Sequence, residues 1–285
     1  MRIPGARRVE IHHRIASTNL RARELAAEGA PLFTVVVAEE QSQGRGRSGK
    51  GWESPLGGLW ISVLLPPPAD GPHGRVSLLL GVAAAEALEG VAGVAIGLKW
   101  PNDLLLLAPG AGRLQGASDR PAGGAPSGLD GNQVLGKVGG ILCEVATEPQ
   151  GSPVLVAGFG LNLRPFPRGN GPTGAVALDE GANRRVERDE VAATLLEALR
   201  RWADPPPPRG LPTEAMEAWS RRDVLVGHPV VTSGGLHGVA GGVSPSGALK
   251  VRRHNGEVVD VVSGSVRRQG DGVPALFAGS DMDAD

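Results

Sequence analysis

The residues with the clearest capacity for chemistry lie in a glycine-rich basic loop, QSQGRGRSGKGW at positions 41–52. Its four glycines let backbone N–H groups approach an anion closely. Arg45, Arg47 and Lys50 add positive charge, and Trp52 offers a flat face to an aromatic ring. The composition predicts a loop that wraps a phosphate-bearing ligand, although a solvated surface loop is a competing interpretation.

The same loop approaches the P-loop pattern GxxxxGK[ST] through Gly44, Gly49 and Lys50. A P-loop needs serine or threonine after the lysine, where it binds Mg²⁺, and it must open a helix. Gly51 stands at that position instead, and the residues up to Pro55 do not resemble a helix start. The sequence therefore argues against a P-loop NTPase.

Four further stretches carry polar groups that suit ligand binding. They are Ser17-Thr18-Asn19, KWPND at 99–103, KVGGILCE at 137–144 and GFGLN at 158–162. Hydroxyl and amide groups suit a neutral hydrogen-bonding ligand, whereas lysines suit an anion. Each stretch has a simpler interpretation when taken alone: Ser17 or Thr18 as a helix N-cap, and Lys99 and Lys137 as surface lysines with buried stems.

In this order the five stretches resemble the signature motifs of biotin protein ligases, GRGRxGxxW among them. The resemblance covers about residues 9–268. It implies a cytoplasmic enzyme that uses ATP to activate biotin as biotinyl-5'-AMP, with Mg²⁺. The enzyme would then transfer biotin to a specific lysine of a biotin carboxyl carrier protein.

The resemblance also implies roles for individual residues, because adenylation must bring a carboxylate and a phosphate together under positive charge. The predicted catalytic residues are Arg47, Lys99 and Lys137. The predicted biotin-binding residues are Ser17, Thr18, Asn19, Gln41, Gly44, Arg45, Gly46, Arg47 and Lys137. The predicted ATP-binding residues are Trp52, Lys99, Asn102, Asp103 and Asn162. Asn102 or Asp103 would hold Mg²⁺ or the ribose–phosphate region, with Asp103 as the candidate metal ligand.

Two other functions stay open at this point. Lipoate or octanoate ligases resemble the same fold, although GRGRxGxxW is the biotin form of the loop. A non-enzymatic binding module is the second alternative, with the C-terminal region binding a peptide or nucleic acid. A degenerate site should have lost its lysines and arginines, and these residues are present here.

Composition limits the partners and the compartment. The net charge of −1 favours neither nucleic-acid nor membrane binding. The single cysteine, Cys143, excludes an internal disulfide and is typical of a reducing cytosol. No apolar run approaches the ~18 residues of a membrane span. The first motif begins at Ser17, so we expect no N-terminal DNA-binding domain and no DNA partner; a homodimer is possible.

The pattern of apolar residues and turns predicts strands and helices along most of the chain, and a small C-terminal SH3-like β-barrel. The resemblance implies an α+β fold for the larger part: a mixed, mostly antiparallel sheet with flanking helices, similar to class II aminoacyl-tRNA synthetase cores. The catalytic domain would span residues 1–221, with a flexible Gly/Pro-rich insertion at about 108–136. The SH3-like domain would span 222–270, and the acidic tail at 271–285 would be disordered.

Overall fold

The computed structural model of the chain describes residues 2–68, 75–109, 134–166, 171–204 and 210–269. Most of the predicted insertion and the predicted disordered tail lie outside these residues. None of the helices in the described ranges is long and apolar enough to cross a membrane.

The larger part of the protein is built on a seven-stranded sheet with strand order β1-β2-β3-β7-β6-β5-β4. The strands are β1 (Arg8–Ile15), β2 (Thr34–Gln41), β3 (Leu59–Leu65), β4 (Ile96–Lys99), β5 (Asp103–Leu107), β6 (Val134–Thr147) and β7 (Pro153–Leu161). Strands β1 and β2 pair in parallel, and the other neighbours pair antiparallel. The predicted mixed, mostly antiparallel sheet is confirmed.

Helices cover both faces of this sheet. They are α1 (Thr18–Ala27), α2 (Arg75–Ala92), α3 (Arg188–Ala203) and α4 (Thr213–Ser220). Val63 and Leu65 of β3 belong to the core beneath α2 and α3, whereas Leu64 packs with Leu25 of α1. Successive side chains of a strand point to opposite faces, so a strand covered on both sides is apolar throughout. Burial on both faces explains the continuous apolar run of β3.

The C-terminal strands form a second, five-stranded antiparallel sheet with order β11-β10-β9-β8-β12. They are β8 (Pro229–Thr232), β9 (His237–Val243), β10 (Leu249–Arg252), β11 (Val258–Val261) and β12 (Val266–Arg268). The buried Trp100 indole donates a hydrogen bond to the Gly247 carbonyl (3.0 Å), which ties this sheet to the β4–β5 turn. The predicted β-rich C-terminal region is confirmed, and its closure into an SH3-like barrel stays a prediction.

One predicted boundary is wrong. The sequence placed residues 134–136 in the insertion, but they form the start of β6. Val134 pairs with Leu107 and Gly136 pairs with Leu106, so the ladder with β5 satisfies their backbone groups. Gly136 also packs so closely on Val176 that a Cβ there would lie 2.6 Å from a valine methyl. Close packing, and not a turn, accounts for this glycine.

Candidate active site

A cavity of about 780 Å³ lies where the start of α1, the basic loop and strands β4–β7 meet. All but one of the predicted site residues line it. These are Ser17, Thr18, Asn19, Gln41, Arg45, Gly46, Arg47, Trp52, Lys99, Asn102, Asp103, Lys137 and Asn162. The structure therefore brings together, at one cavity, residues from all five motifs.

Asn19 is held in one orientation at the polar end of the cavity. Its side-chain Nδ2 donates to Glu144 Oε2 (2.9 Å) and to the Leu142 carbonyl (3.4 Å). Its Oδ1 accepts a hydrogen bond from the buried Ser62 hydroxyl (2.6 Å). Because both ends of the amide are bound, the side chain presents a fixed donor and acceptor pattern to the cavity.

Thr18 extends this polar end toward the basic loop. Its backbone N–H and its hydroxyl both donate to Gln41 Oε1, at 2.8 and 3.1 Å. Gln41 Nε2 donates in turn to the Ser54 hydroxyl (2.8 Å), just beyond the loop. Ser17 occupies the N-cap position of α1 but makes no side-chain capping bond, so capping does not account for this serine.

Two glycines of β7 form the floor beneath these groups. A Cβ on Gly158 would lie 2.0 Å from Asn19 Oδ1, and a Cβ on Gly160 would lie 2.5 Å from Trp52 Nε1. Gly160 pairs with Gly140 of β6, which also lies under the Trp52 ring. The missing side chains let the amide and the indole lie directly on the sheet.

Lysines surround a single carboxylate at the other end of the cavity. Lys137 Nζ lies 2.6 Å from Asp103 Oδ1, and Lys99 Nζ lies 3.8 Å from Asp103 Oδ2. Burial lowers the pKa of Lys99, against the opposing effect of Asp103. Burial alone would raise the pKa of Asp103, but Lys137 and Lys99 outweigh it and hold that pKa below its usual value. Two positive groups against one carboxylate leave a net positive charge here.

Arg47 adds the third cation and fixes the basic loop. Its Nη1 donates to Asn102 Oδ1 and to the Gly264 carbonyl of the C-terminal sheet, both at 3.3 Å. Asn102 Nδ2 is itself bound to the Ile141 carbonyl (2.8 Å). Burial lowers the pKa of Arg47. The loop is therefore docked simultaneously on the β4–β5 turn and on the C-terminal sheet.

Trp52 and Asn162 lie beside Lys137. The Lys137 ammonium lies 5.0 Å from the centre of the Trp52 ring, within cation–π distance. The Trp52 indole N–H is buried and has no hydrogen-bond partner among the described residues. Asn162 Nδ2 donates to the Lys137 carbonyl (3.3 Å) and fixes the strand that carries this lysine.

Gly44 is the one predicted site residue that does not line the cavity. Its carbonyl accepts the backbone N–H of Trp52 (2.9 Å), and a Cβ would lie 2.2 Å from the Trp52 carbonyl oxygen. Its predicted contact with biotin stays a prediction. The lack of a side chain at Gly44 lets the basic loop close on itself.

Asp103, the predicted Mg²⁺ ligand, lies between two lysines. Both oxygens of Asp103 face lysine ammonium groups. Within the ranges that the structure describes, no three His, Cys, Asp or Glu side chains cluster as a metal site. Mg²⁺ favours carboxylate oxygens supplemented by water and substrate phosphates. Because both Asp103 oxygens are engaged by lysines, these residues do not fit a Mg²⁺ ion held by the protein alone.

Sequence reasoning missed three parts of the site. Ser62 is the one polar residue in the apolar strand LWISVLL, and that exception was a usable signal. Glu144 is the last residue of the motif at 137–144, and its position there does not indicate a contact with Asn19. The segment 172–175 lines the cavity because the Lys137 N–H donates to the Gly174 carbonyl (2.8 Å). Nothing in its composition indicates that contact.

Comparison with known proteins agrees with this geometry. The model of the biotin/lipoate A/B protein ligase family matches residues 11–157, more than half of the chain. The biotin–[acetyl-CoA-carboxylase] ligase of Paracoccus denitrificans is 30% identical over 259 residues, covering 86% of this chain and 95% of that protein. The bifunctional ligase/repressor BirA of Bacillus subtilis is 30% identical over 193 residues, covering 65% of this chain.

The chain spans 29% to 50% of the length of the two Bacillus ligase/repressors that it matches. Among solved structures, the biotin protein ligase of Aquifex aeolicus in complex with biotin and ATP aligns with a TM-score of 0.68. That alignment covers 92% of this chain and 99% of the other at 24% identity, so it establishes the fold alone. On the family model and the Paracoccus relative, this chain belongs to the biotin/lipoate A/B protein ligase family.

Proposed function

We propose that this chain is an ATP-dependent biotin protein ligase. It activates biotin as biotinyl-5'-AMP and transfers the biotinyl group to a lysine of a biotin carboxyl carrier protein of an acyl-CoA carboxylase. The proposal rests on family membership and on the two chemically different ends of one cavity.

The single observation that carries the proposal is the arrangement of these two ends. Thr18 and Asn19, braced by Ser62, supply neutral hydroxyl and amide groups at one end. Arg47, Lys99 and Lys137 supply positive charge at the other. Biotin has the matching polarity, because a neutral urea ring lies at one end of the molecule and a carboxylate at the other. The cations then lie where that carboxylate meets the α-phosphate of ATP.

The first half-reaction forms the mixed anhydride. An oxygen of the biotin carboxylate attacks the α-phosphorus of ATP, the bond to the β-phosphate oxygen breaks, and pyrophosphate leaves. The two reacting groups are both negative, so Lys137 and Lys99 offset their repulsion and stabilise the charge that builds up on the phosphate. Mg²⁺ enters with ATP as part of the substrate, since phosphates supply its preferred oxygen ligands.

The second half-reaction needs no covalent enzyme nucleophile. The neutral amine of the carrier lysine attacks the acyl carbon, AMP leaves with the electron pair of the broken C–O bond, and the amine loses a proton. Cys143 takes no part in this scheme, because burial raises the pKa of its thiol to about 11 and leaves it protonated near neutral pH. The basic loop retains the anhydride between the two steps.

The polar end of the cavity discriminates against lipoate and octanoate. Their apolar ends carry no donor or acceptor to meet Thr18 and Asn19, so they do not gain the hydrogen bonds of a urea ring, each of which contributes about 0.5–1.5 kcal/mol. Biotin should therefore raise the melting temperature of the protein in the presence of ATP, whereas lipoate and octanoate should not. If lipoate raised the melting temperature and biotin did not, the result would favour a lipoate or octanoate ligase.

A direct assay incubates the purified chain with ATP, biotin and a biotin carboxyl carrier domain, and detects biotinylation with streptavidin. We expect labelling that requires ATP and that disappears when the acceptor lysine of the carrier is replaced by arginine. A non-enzymatic binding module would give no labelling under any condition. A cytoplasmic location, a homodimer and the absence of a DNA partner stay predictions.

A further inference from the structure

Glu144 occupies an unusual position between the biotin end of the cavity and the basic loop. Alternation along β6 places Gly140, Leu142 and Glu144 on one face of the sheet. The first two line the cavity, but Glu144 does not. Its side chain is 18% exposed and lies behind Asn19 and Arg45. Any effect of Glu144 on a ligand must therefore act through other residues.

The two carboxylate oxygens of Glu144 have separate partners. Oε2 accepts a hydrogen bond from Asn19 Nδ2 at 2.9 Å. Oε1 lies 3.3 Å from Arg45 Nη1 of the basic loop and 3.7 Å from Arg23 Nη1 of α1. One carboxylate thus joins the start of α1 to the loop. A displacement of Asn19 or of Arg45 therefore changes the contact that Glu144 makes with the other residue.

The negative charge of Glu144 lies beside a cavity that is proposed to bind anionic substrates. A carboxylate beside a cavity for anionic substrates opposes binding unless cations neutralise it. Arg45 and Arg23 supply that neutralisation, so Glu144 can hold the loop without repelling the ligand. A neutral side chain of the same shape would still accept a bond from Asn19 but would bind Arg45 more weakly.

We propose that Glu144 is a positioning residue that couples the biotin end of the cavity to closure of the basic loop. The inference rests on the proposed function. Glu144 fixes the Asn19 amide with one oxygen and holds Arg45 with the other. Loss of the charge frees the loop, while the Asn19 contact persists.

Glu144→Gln tests this role because glutamine keeps the shape and one oxygen acceptor but removes the charge. We expect biotinyl-5'-AMP to dissociate roughly fivefold faster from this variant, the size expected for one partly exposed ion pair. Arg45→Gln should give at least the same increase, because it also removes one of the two cations that neutralise Glu144. The double variant should be no faster than Arg45→Gln alone, because both substitutions remove the same contact. Glu257→Gln, which breaks a comparable ion pair with Arg253 in the C-terminal sheet, is the matched control.

A second readout does not depend on catalysis. Trypsin cleaves after arginine and lysine, so Arg45, Arg47 and Lys50 report how often the loop opens. Mass spectrometry should show roughly fivefold faster loop cleavage in Glu144→Gln than in wild type. Cleavage at other sites and the melting temperature of the variant should stay close to wild type, which separates positioning from a loss of fold.

The outcomes distinguish the inference from the function on which it rests. A wild-type protein that forms no biotinyl-5'-AMP overturns the proposed function. A wild type that forms it, with Glu144→Gln releasing it at the wild-type rate or showing wild-type loop cleavage, overturns the positioning role. Faster release that is fully additive with Arg45→Gln also overturns it.

Discussion

Gly158→Ala is the most specific perturbation that the cavity offers. The added Cβ would lie 2.0 Å from Asn19 Oδ1, 2.8 Å from its Cγ and 3.1 Å from its Nδ2. A gap of 2.0 Å is far inside van der Waals contact, so the Asn19 amide must move. Its bonds to Ser62 (2.6 Å) and Glu144 (2.9 Å) cannot both survive that movement.

The size of the effect follows from these contacts. Inserting a methyl group into a packed site costs about 1–3 kcal/mol. If Asn19 must overcome that cost to reach the position in which it binds biotin, the affinity for biotin weakens roughly 5- to 150-fold. The lysines lie at the opposite end of the cavity from Gly158. We therefore expect the KM for ATP at saturating biotin to change by less than about twofold.

Isothermal titration calorimetry with biotin measures the first quantity, and pyrophosphate exchange measures the second. Gly160→Ala is the matched comparison, since its Cβ would lie 2.5 Å from Trp52 Nε1 and should disturb nucleotide binding instead. Gly90→Ala in α2 is the neutral control, because a Cβ there meets no atom within 4 Å. Wild-type biotin affinity in Gly158→Ala would refute the assignment of Asn19 to biotin.

Three further perturbations concern the charged groups. Lys137→Ala should lower biotinyl-5'-AMP formation by roughly 100- to 1,000-fold with the fold intact, as followed by ATP–pyrophosphate exchange. Arg47→Gly should release the adenylate early, by roughly tenfold or more in a filter-binding assay, because a hydrogen bond from a charged donor contributes about 1.5–3 kcal/mol. Asp103→Asn should lower the free energy of unfolding in urea by about 1–3 kcal/mol at pH 7, because it removes the carboxylate charge that Lys137 and Lys99 contact at 2.6 and 3.8 Å.

The pH dependence of the Asp103 effect follows from the sign of its shift. The pKa of Asp103 is lower in the folded protein than its ordinary value of 3.8, so the native state binds fewer protons than the unfolded state. Its contribution is present above pH 3.8 and is lost as the pH falls through the folded value. The difference between Asp103→Asn and wild type should therefore narrow in acid. A difference that widens below pH 3.8 would contradict the assignment.

The other two charge predictions have equally direct contrary outcomes. Near-normal pyrophosphate exchange in Lys137→Ala would remove this lysine from the chemistry. Unchanged retention of biotinyl-5'-AMP by Arg47→Gly would show that the Arg47 contacts with Asn102 and Gly264 do not hold the loop closed. Lys250→Ala, on β10 of the C-terminal sheet, is a charge-matched control that should leave both measurements unchanged.

Apolar patterning predicts where most of the strands and helices lie, whereas the mixed-sheet architecture was predicted from the resemblance to biotin protein ligases. Runs such as LWISVLL indicate buried strands because six of their seven side chains are apolar. The pairing of β3 with β7 was not predictable in the same way, because these two strands are far apart in the sequence. The start of β6 at Val134 was missed because Gly136 resembles a loop residue until its contact with Val176 is known.

The candidate site shows the same division. The motifs identified the groups that would contact a ligand, because the residue type alone shows whether a side chain offers a hydroxyl, an amide or an ammonium group. The residues that hold those groups were harder to find, because Ser62 and Glu144 hydrogen-bond to Asn19 and do not line the cavity themselves. Supporting contacts of this kind become visible only when the strands are paired.

The most direct test of the central claim is a crystal structure of the chain with biotinyl-5'-AMP bound. We expect the side chains of Arg47, Lys99 and Lys137 to surround the acyl-phosphate within about 4 Å, the range of an ion pair. We also expect the urea ring to lie against Thr18 and Asn19. An adenylate bound elsewhere, or with its phosphate directed away from these three cations, would show that the cavity does not bind the reacting groups as proposed.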